Sequence, residues 1–139
     1  MIFTQTTINV KAPSRGFYLI TDKVLSTIDI KVIRIGMLNI FLKHTSASLT
    51  INENISPDVR RDLESISSSL VPDNGEYEHI LEGKDDMPSH FKSSMFGVSL
   101  NIPITDGELA LGIWQGIYLN EHRDRPTKRE IILTAWGTP

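Results

Sequence analysis

The sequence predicts an α+β domain, and three observations carry that class. Apolar and polar residues alternate, as in half-buried strands, from Ile2 to Val10, from Met37 through Ile51, over Val98, Leu100 and Ile102, and from Ile131 to Trp136. One stretch, Ser56 to Leu70, repeats its apolar residues at helical steps instead. No Pro- or Ser-rich linker and no internal repeat interrupts the chain, so its 139 residues are expected to form one domain.

Composition narrows the function classes. A hydrophobic content of 40% suffices for a real core, and a net charge of -3 disfavours non-specific nucleic-acid binding, which needs a basic surface. The absence of cysteine excludes disulfides, thiolate metal sites and cysteine nucleophiles. The first residues lack a basic stretch followed by an apolar one, and no apolar run approaches a membrane span. The expectation is a cytoplasmic protein with neither a membrane nor a nucleic-acid partner.

In order, Ile2 to Val10 reads as a first strand ended by Pro13 to Gly16, and Gly16 to Ile20 as a second short one. Thr21 or Asp22 can cap a helix through Val24, Leu25 and Ile28. Met37 to Lys43 leads into a strand with Leu49 and Ile51 on one face and His44, Ser46, Ser48, Thr50 and Asn52 on the other. In the Ser56–Leu70 helix, Ser56 is the expected N-cap, Pro57 suits the first helical position, and Asp58 favours the dipole. Its stripe of Val59, Leu63, Ile66 and Leu70 is expected to pack on a sheet, with Asp62 at the margin. Tyr77 to Phe96 has little periodicity beyond a short helix capped by Ser89. Thr105 to Glu108 is a hairpin turn, and Leu109 to Leu119 reads as one return strand with Gln115 embedded in an apolar row.

The chemistry-bearing residues gather in the irregular parts. His44, His79 and His90 each sit among hydroxyls or acids, and they are expected to converge on a divalent ion, Zn²⁺ being preferred because imidazole suits it. Asp85 and Asp86 offer oxygen ligands for Mg²⁺ with a phosphate. The His44-Thr45-Ser46 turn can also take an anion with no metal. No P-loop, GxGxxG or GxSxG is present, so no organic cofactor is predicted.

Read together, these segments resemble the YjbQ family, also called UPF0047. His44-Thr45-Ser46-Ala47-Ser48 with Asn52-Glu53 is similar to its first block, and Tyr77, His79, Gly83 and Asp85-Asp86-Met87-Pro88-Ser89-His90 to its central one. Ser99 to Ile104 with Gly107, then Gly112 to Gln115, resemble its signature, and Glu121-His122-Arg123 its closing motif. Ile113 departs from the threonine usual before Trp-Gln.

The resemblance implies a β-sandwich with mixed sheets and a few flanking helices, assembled as a homotrimer. It also implies a secondary thiamine-phosphate synthase activity, a transferase joining a hydroxymethylpyrimidine pyrophosphate to a thiazole phosphate. Carried over by motif, His44, Glu53, Asp62, His90 and Arg123 would serve catalysis, and Thr45, Ser46, Asn52, Asp86, Gln115 and Glu121 would bind the small phosphorylated substrate. Arg123 would stabilise the leaving pyrophosphate and His90 would give it a proton. A non-catalytic module binding a small anionic metabolite, and a metal-dependent hydrolase built on the histidines, are the alternatives.

Overall fold

In the computed structural model, which describes every residue from Met1 to Pro139, eight strands and three helices form three layers. The strands are β1 (Ile2–Ala12), β2 (Gly16–Leu19), β3 (Ile35–Leu42), β4 (Ala47–Glu53), β5 (Ser99–Thr105), β6 (Glu108–Leu109), β7 (Gln115–Glu121) and β8 (Thr127–Thr138). The helices are α1 (Thr21–Thr27), α2 (Pro57–Leu70) and α3 (Asp86–Phe96). One sheet has the order β1-β8-β3-β5-β6 and the other β2-β7-β4. The fold is α+β, as expected. The sheets, expected to be mixed, are antiparallel throughout.

The core lies between the two sheets. Register aligns Ile8, Ile131 and Leu42 across one row of the large sheet, and Ala135, Leu38 and Ile102 across another. Leu49, Ile117 and Leu119 of the small sheet join these residues in one buried cluster. Burying each such side chain contributes on the order of 1.5–3 kcal/mol. Alternation on β1, β3 and β8 therefore reported a real inward face.

Strand β7 is buried on both faces. Ile117 and Leu119 enter the core, whereas Tyr118 and Asn120 and, just past its end, His122 point into the layer closed by α2 and α3. His122 stacks on Phe96 of α3 with ring centroids 5.7 Å apart. The return strand expected over Leu109–Leu119 is broken. Leu109 still belongs to the large sheet, while Gln115 begins β7 in the small one. Between them Gly112 N–H donates to Gln115 Oε1 at 2.8 Å and Gln115 N–H to Gly112 O at 3.0 Å, closing a turn that switches sheets. Gln115 is thus exposed at a strand start rather than set in an apolar row. At Gly116 a Cβ would sit 2.7 Å from Leu19 Cδ2 and 2.8 Å from Asn54 Cβ, so only glycine fits that approach.

Helix α2 forms where the pattern placed it but docks on a different face. Ile66 and Leu70 are 58% and 69% exposed, Val59 and Leu63 are half-buried, and Ser67 is the buried residue. The docked face runs Arg60, Glu64, Ser67 at four- and three-residue steps and is held by polar contacts. Arg60 Nε donates to the Tyr118 hydroxyl at 3.2 Å, and Arg15 lies 3.8 Å from Glu64. The Ser56 hydroxyl makes no capping bond. The Glu53 carboxylate instead accepts the Ile55 and Ser56 N–H groups, 3.1 Å in the second case. In α1 the N-cap is Ile20, and the Thr21 hydroxyl is spent accepting the Ile117 N–H at 2.8 Å. Helix α3 starts at Asp86, a turn earlier than a Ser89 cap implies; Ser89 donates to Asp85 O and His122 O.

Burial separates two otherwise similar truncations. Leu38→Ala is expected to cost about 2–5 kcal/mol, and Ile66→Ala under about 0.5 kcal/mol, in urea denaturation. Equal losses would show that the α2 stripe is covered after all.

Candidate functional site

The site is built where α3, the loop before it and the ends of β4 and β7 meet. Asp86 and His90 stand one turn apart on α3, and the preceding loop brings His79 to them. His79 Nε2 lies 2.9 Å and His90 Nε2 3.1 Å from the same oxygen, Asp86 Oδ2. One donor atom from each of the three residues falls within 4.8 Å of the others, a set able to hold a metal ion. His44, expected in that set, is not part of it. Its Nε2 accepts the Glu130 N–H at 2.8 Å, which commits that nitrogen to the backbone of β8 rather than to a shared ion. Asp86 takes the third position instead.

Arg123 fixes the triad from behind. Its Nη1 donates to Asp86 Oδ1 at 2.6 Å, its Nε to Asp85 Oδ2 at 2.9 Å and its Nη2 to Glu82 O at 2.8 Å. The guanidinium is 6% exposed and each of its three nitrogens already donates to the chain, so it is buried framework rather than the open receiver of a substrate phosphate that was expected. Burial alone would push the Asp85 carboxyl up. The Asp124 N–H and Arg123 more than offset it and hold it below the usual carboxylate range. Both lone-pair sites thus engaged, Asp85 Oδ2 is a poor Mg²⁺ ligand.

A second buried charge group supports the His44 turn. Glu121 accepts from Arg129 Nε at 2.7 Å and Nη2 at 2.6 Å, from the Arg123 N–H at 3.0 Å and from the Thr127 hydroxyl. Arg129 Nη2 also reaches Ser46 Oγ at 2.9 Å. Ser46 and Glu121 are therefore buried framework rather than substrate contacts. Burial, helped by the Arg129 charge, lowers the His44 pKa and keeps that ring neutral. Beside it opens a pocket of about 690 Å³ lined by His44, Thr45, His90, Ser93, Ser94 and Val98.

Four candidates lie elsewhere. Glu53 pairs with Gln115 at one end of the small sheet, and Ala47 with Glu121 at the other. Five residue steps for Asn52 and six for Glu53 and Gln115 put them about 17–20 Å from the triad's end of the sheet. Glu53 caps α2, Gln115 closes the sheet-switching turn, and Asp62 is exposed on the outer side of α2. Arg129, Lys92 and Ser93 were not anticipated. Arg129 carried a readable signal, since it shares strand parity with Ile131 and Leu133 and so had to be an inward arginine.

A family model described as UPF0047 protein YjbQ-like matches residues 6–138. The chain belongs to the UPF0047, YjbQ-like family. It is 52% identical over 134 residues to the UPF0047 protein YjbQ of Escherichia coli O157:H7, covering 96% of this chain and 97% of that one. It is 34% identical to the UPF0047 protein YugU of Bacillus subtilis, covering 94% and 98%. Among solved structures, a YjbQ/UPF0047 family protein of Clostridium acetobutylicum, described as uncharacterized, superposes with a TM-score of 0.83 at 37% identity, covering 92% and 97%. A protein of unknown function from Sulfolobus solfataricus reaches 0.85 at 21% identity, covering 99% and 100%, and speaks to the fold. No helix of the structure is long and apolar enough to cross a membrane.

His122 yields a pH prediction. Burial first, then the positive charges of Lys92, Arg15 and Arg129, lower its pKa from 6.5 to about 3. The unfolded chain binds that proton below about 6.5 and the folded chain only near 3. Stability from this group is full above the first value and lost as pH falls through the window, on the order of 5 kcal/mol at most. His122→Gln should flatten the stability–pH slope between those limits relative to wild type; an unchanged slope would refute the assignment.

Proposed function

We propose that this chain is a divalent-metal-dependent hydrolase of a small phosphorylated molecule, with His79, Asp86 and His90 as the metal ligands. One observation carries the reading. His90 Nδ1 lies 2.7 Å from Thr45 O, which only accepts, so that nitrogen bears the ring hydrogen. In the neutral ring the Nε2 lone pair then faces Asp86 Oδ2, the oxygen His79 Nε2 also approaches. A cation between these donors relieves the opposition, and a backbone carbonyl orienting the far ring nitrogen is the usual support for a ligating histidine.

Charge supports it too. Asp85 and Asp86 against the one Arg123 leave a negative excess beneath the triad. Two imidazoles and one carboxylate suit Zn²⁺ better than Mg²⁺, and three protein ligands leave a position open. A bound ion would polarise a phosphoryl oxygen and lower the pKa of a water that cleaves the ester to phosphate and an alcohol. The chain's own part is positional: Arg123 holds Asp86, and Thr45 O holds His90.

The transferase joining a hydroxymethylpyrimidine pyrophosphate to a thiazole phosphate is the second reading; it would use the same pocket, whose volume is within the size range of ligand sites. Assembly as a homotrimer is likewise a proposal. It is supported by an apolar row on the outer large sheet in which exposed Phe3 pairs with half-buried Trp136, and Trp136 with half-buried Met37. Light scattering should then give three chains per particle for wild type and fewer for Phe3→Asp.

The decisive experiment is metal analysis and calorimetry on protein purified without an affinity tag, alongside phosphate release from phosphomonoesters. Wild type should take up about one Zn²⁺ or Mn²⁺ per chain and lose turnover to a chelator. His79→Ala and His90→Ala should each lose more than the roughly 10–100-fold that removing an outer-shell partner costs. Absence of metal uptake would overturn the ligand set. Uptake without turnover would leave a binding module, and thiamine phosphate formed from its two precursors would favour the transferase.

A further inference from the structure

We propose that the phosphorylated molecule is a hydroxyl-rich, sugar-like phosphate ester rather than a phosphate on a flat heterocycle, held by His44, Thr45, Ser93 and Ser94. This rests on the phosphorylated-substrate reading above and names its organic part.

The pocket beside the triad is polar in an unusual way. Val98 is its only apolar lining residue, and its only rings are the imidazoles of His44 and His90. His90 is already engaged, tilted against His79 with ring centroids 5.5 Å apart. Flat heterocycles gain most from broad aromatic or apolar faces, and none is offered here. What is offered is hydroxyls. Positions 90, 93, 94 and 97 follow helical spacing, so α3 and the Gly97 that ends it turn one face to the pocket, with Ser93 and Ser94 side by side on it. Thr45 faces them from the turn before β4. The hydroxyls of Thr45, Ser93 and Ser94 carry no hydrogen bond within the chain, and Ser93, although only 5% exposed, lines the pocket. A hydroxyl both donates and accepts, so a row of them matches a ligand that is itself a row of hydroxyls.

The two ends of the pocket differ, which sets the ligand's direction. His44 Nε2 accepts the Glu130 N–H, so the neutral ring carries its hydrogen on Nδ1 and offers a donor at the triad end. At the other end α3 stops at Phe96, where its last carbonyls present partial negative charge. An anionic phosphoryl group is favoured near His44 and the triad, and ligand hydroxyls are favoured towards Gly97, where they donate to carbonyls.

Calorimetry on the full chain, with and without added Zn²⁺, tests this using ribose 5-phosphate, inorganic phosphate and hydroxyethylthiazole phosphate. Ribose 5-phosphate should bind at least about tenfold tighter than inorganic phosphate, the factor that one or two added hydrogen bonds supply. The Ser93→Ala/Ser94→Ala double variant should lose that preference while keeping its melting temperature, its metal uptake and its affinity for inorganic phosphate. His44→Phe should weaken inorganic phosphate without changing metal uptake. Equal affinity for ribose 5-phosphate and inorganic phosphate, tighter binding of the thiazole phosphate, or an intact preference in the double variant would each overturn the proposal. Metal uptake is read separately, so failure of the ligand set stays distinct from failure of the hydroxyl row, whose preference is also measured on metal-free protein.

Discussion

The guanidinium of Arg123 is the contact on which the rest of the site depends. It sits just past β7 and reaches three points at once: Asp85 before α3, Asp86 in its first turn and Glu82 O in the loop. Asp86 is 1% exposed, and a carboxylate so buried survives only with a charge partner and its lone pairs occupied. A planar fork meets that need, and a lysine could not bridge the same atoms. Because Arg123 sets the rotation of the first turn of α3, it also decides where His90 points, one turn further on. The histidine cluster is thus a consequence of an ion pair at the end of a strand.

That strand is the other constraint. Covering β7 on both faces leaves no exposed side for its polar residues, so Ser48, Asn120 and His122 must satisfy one another. Asn120 Nδ2 donates to Ser48 Oγ at 3.0 Å, and Ser48 Oγ and His122 Nε2 share a hydrogen bond of 2.8 Å. The pairing is incomplete, since His122 Nδ1 and Lys92 Nζ are buried without a partner, and each unpaired group costs stability that the surrounding packing must offset. Against that buried floor, His79 is 51% exposed on a loop anchored by the Tyr77 hydroxyl donating to Pro72 O at 2.7 Å and by Arg123 donating to Glu82 O at 2.8 Å. Of the three triad residues it has the most freedom to move as a ligand enters.

The triad and the pocket divide the work by chemistry. The triad offers lone pairs above a negative excess, suited to a cation. The pocket offers a neutral imidazole and free hydroxyls, suited to what that cation would hold in place. His44 and His90 are close to both, yet their roles differ because the hydrogen bond made by each ring's far nitrogen differs. Glu130 N–H donates to His44, whereas Thr45 O accepts from His90.

Strand alternation by itself determined the inward rows of β1, β3, β4 and β8, because side-chain period two admits only one buried face per register. Helical spacing likewise determined that α2 exists, and order along the chain was enough to mark the histidine-bearing segments. Which face of α2 docks was decided by Arg60 with Tyr118 and Arg15 with Glu64, partners 58 and 49 positions away that no local period reveals. The break between Leu109 and Gln115 was invisible because Leu109, Leu111, Ile113, Ile117 and Leu119 keep one parity across a change of sheet. The separation of Glu53 and Gln115 from His79, Asp86 and His90 follows from antiparallel register, which pairs the start of β7 with the end of β4. Sequence could name the polar residues, but only the tertiary contacts decided which are site, which are caps and which are buried framework. A hydrogen bond's partner is set by three-dimensional geometry, not by residue type.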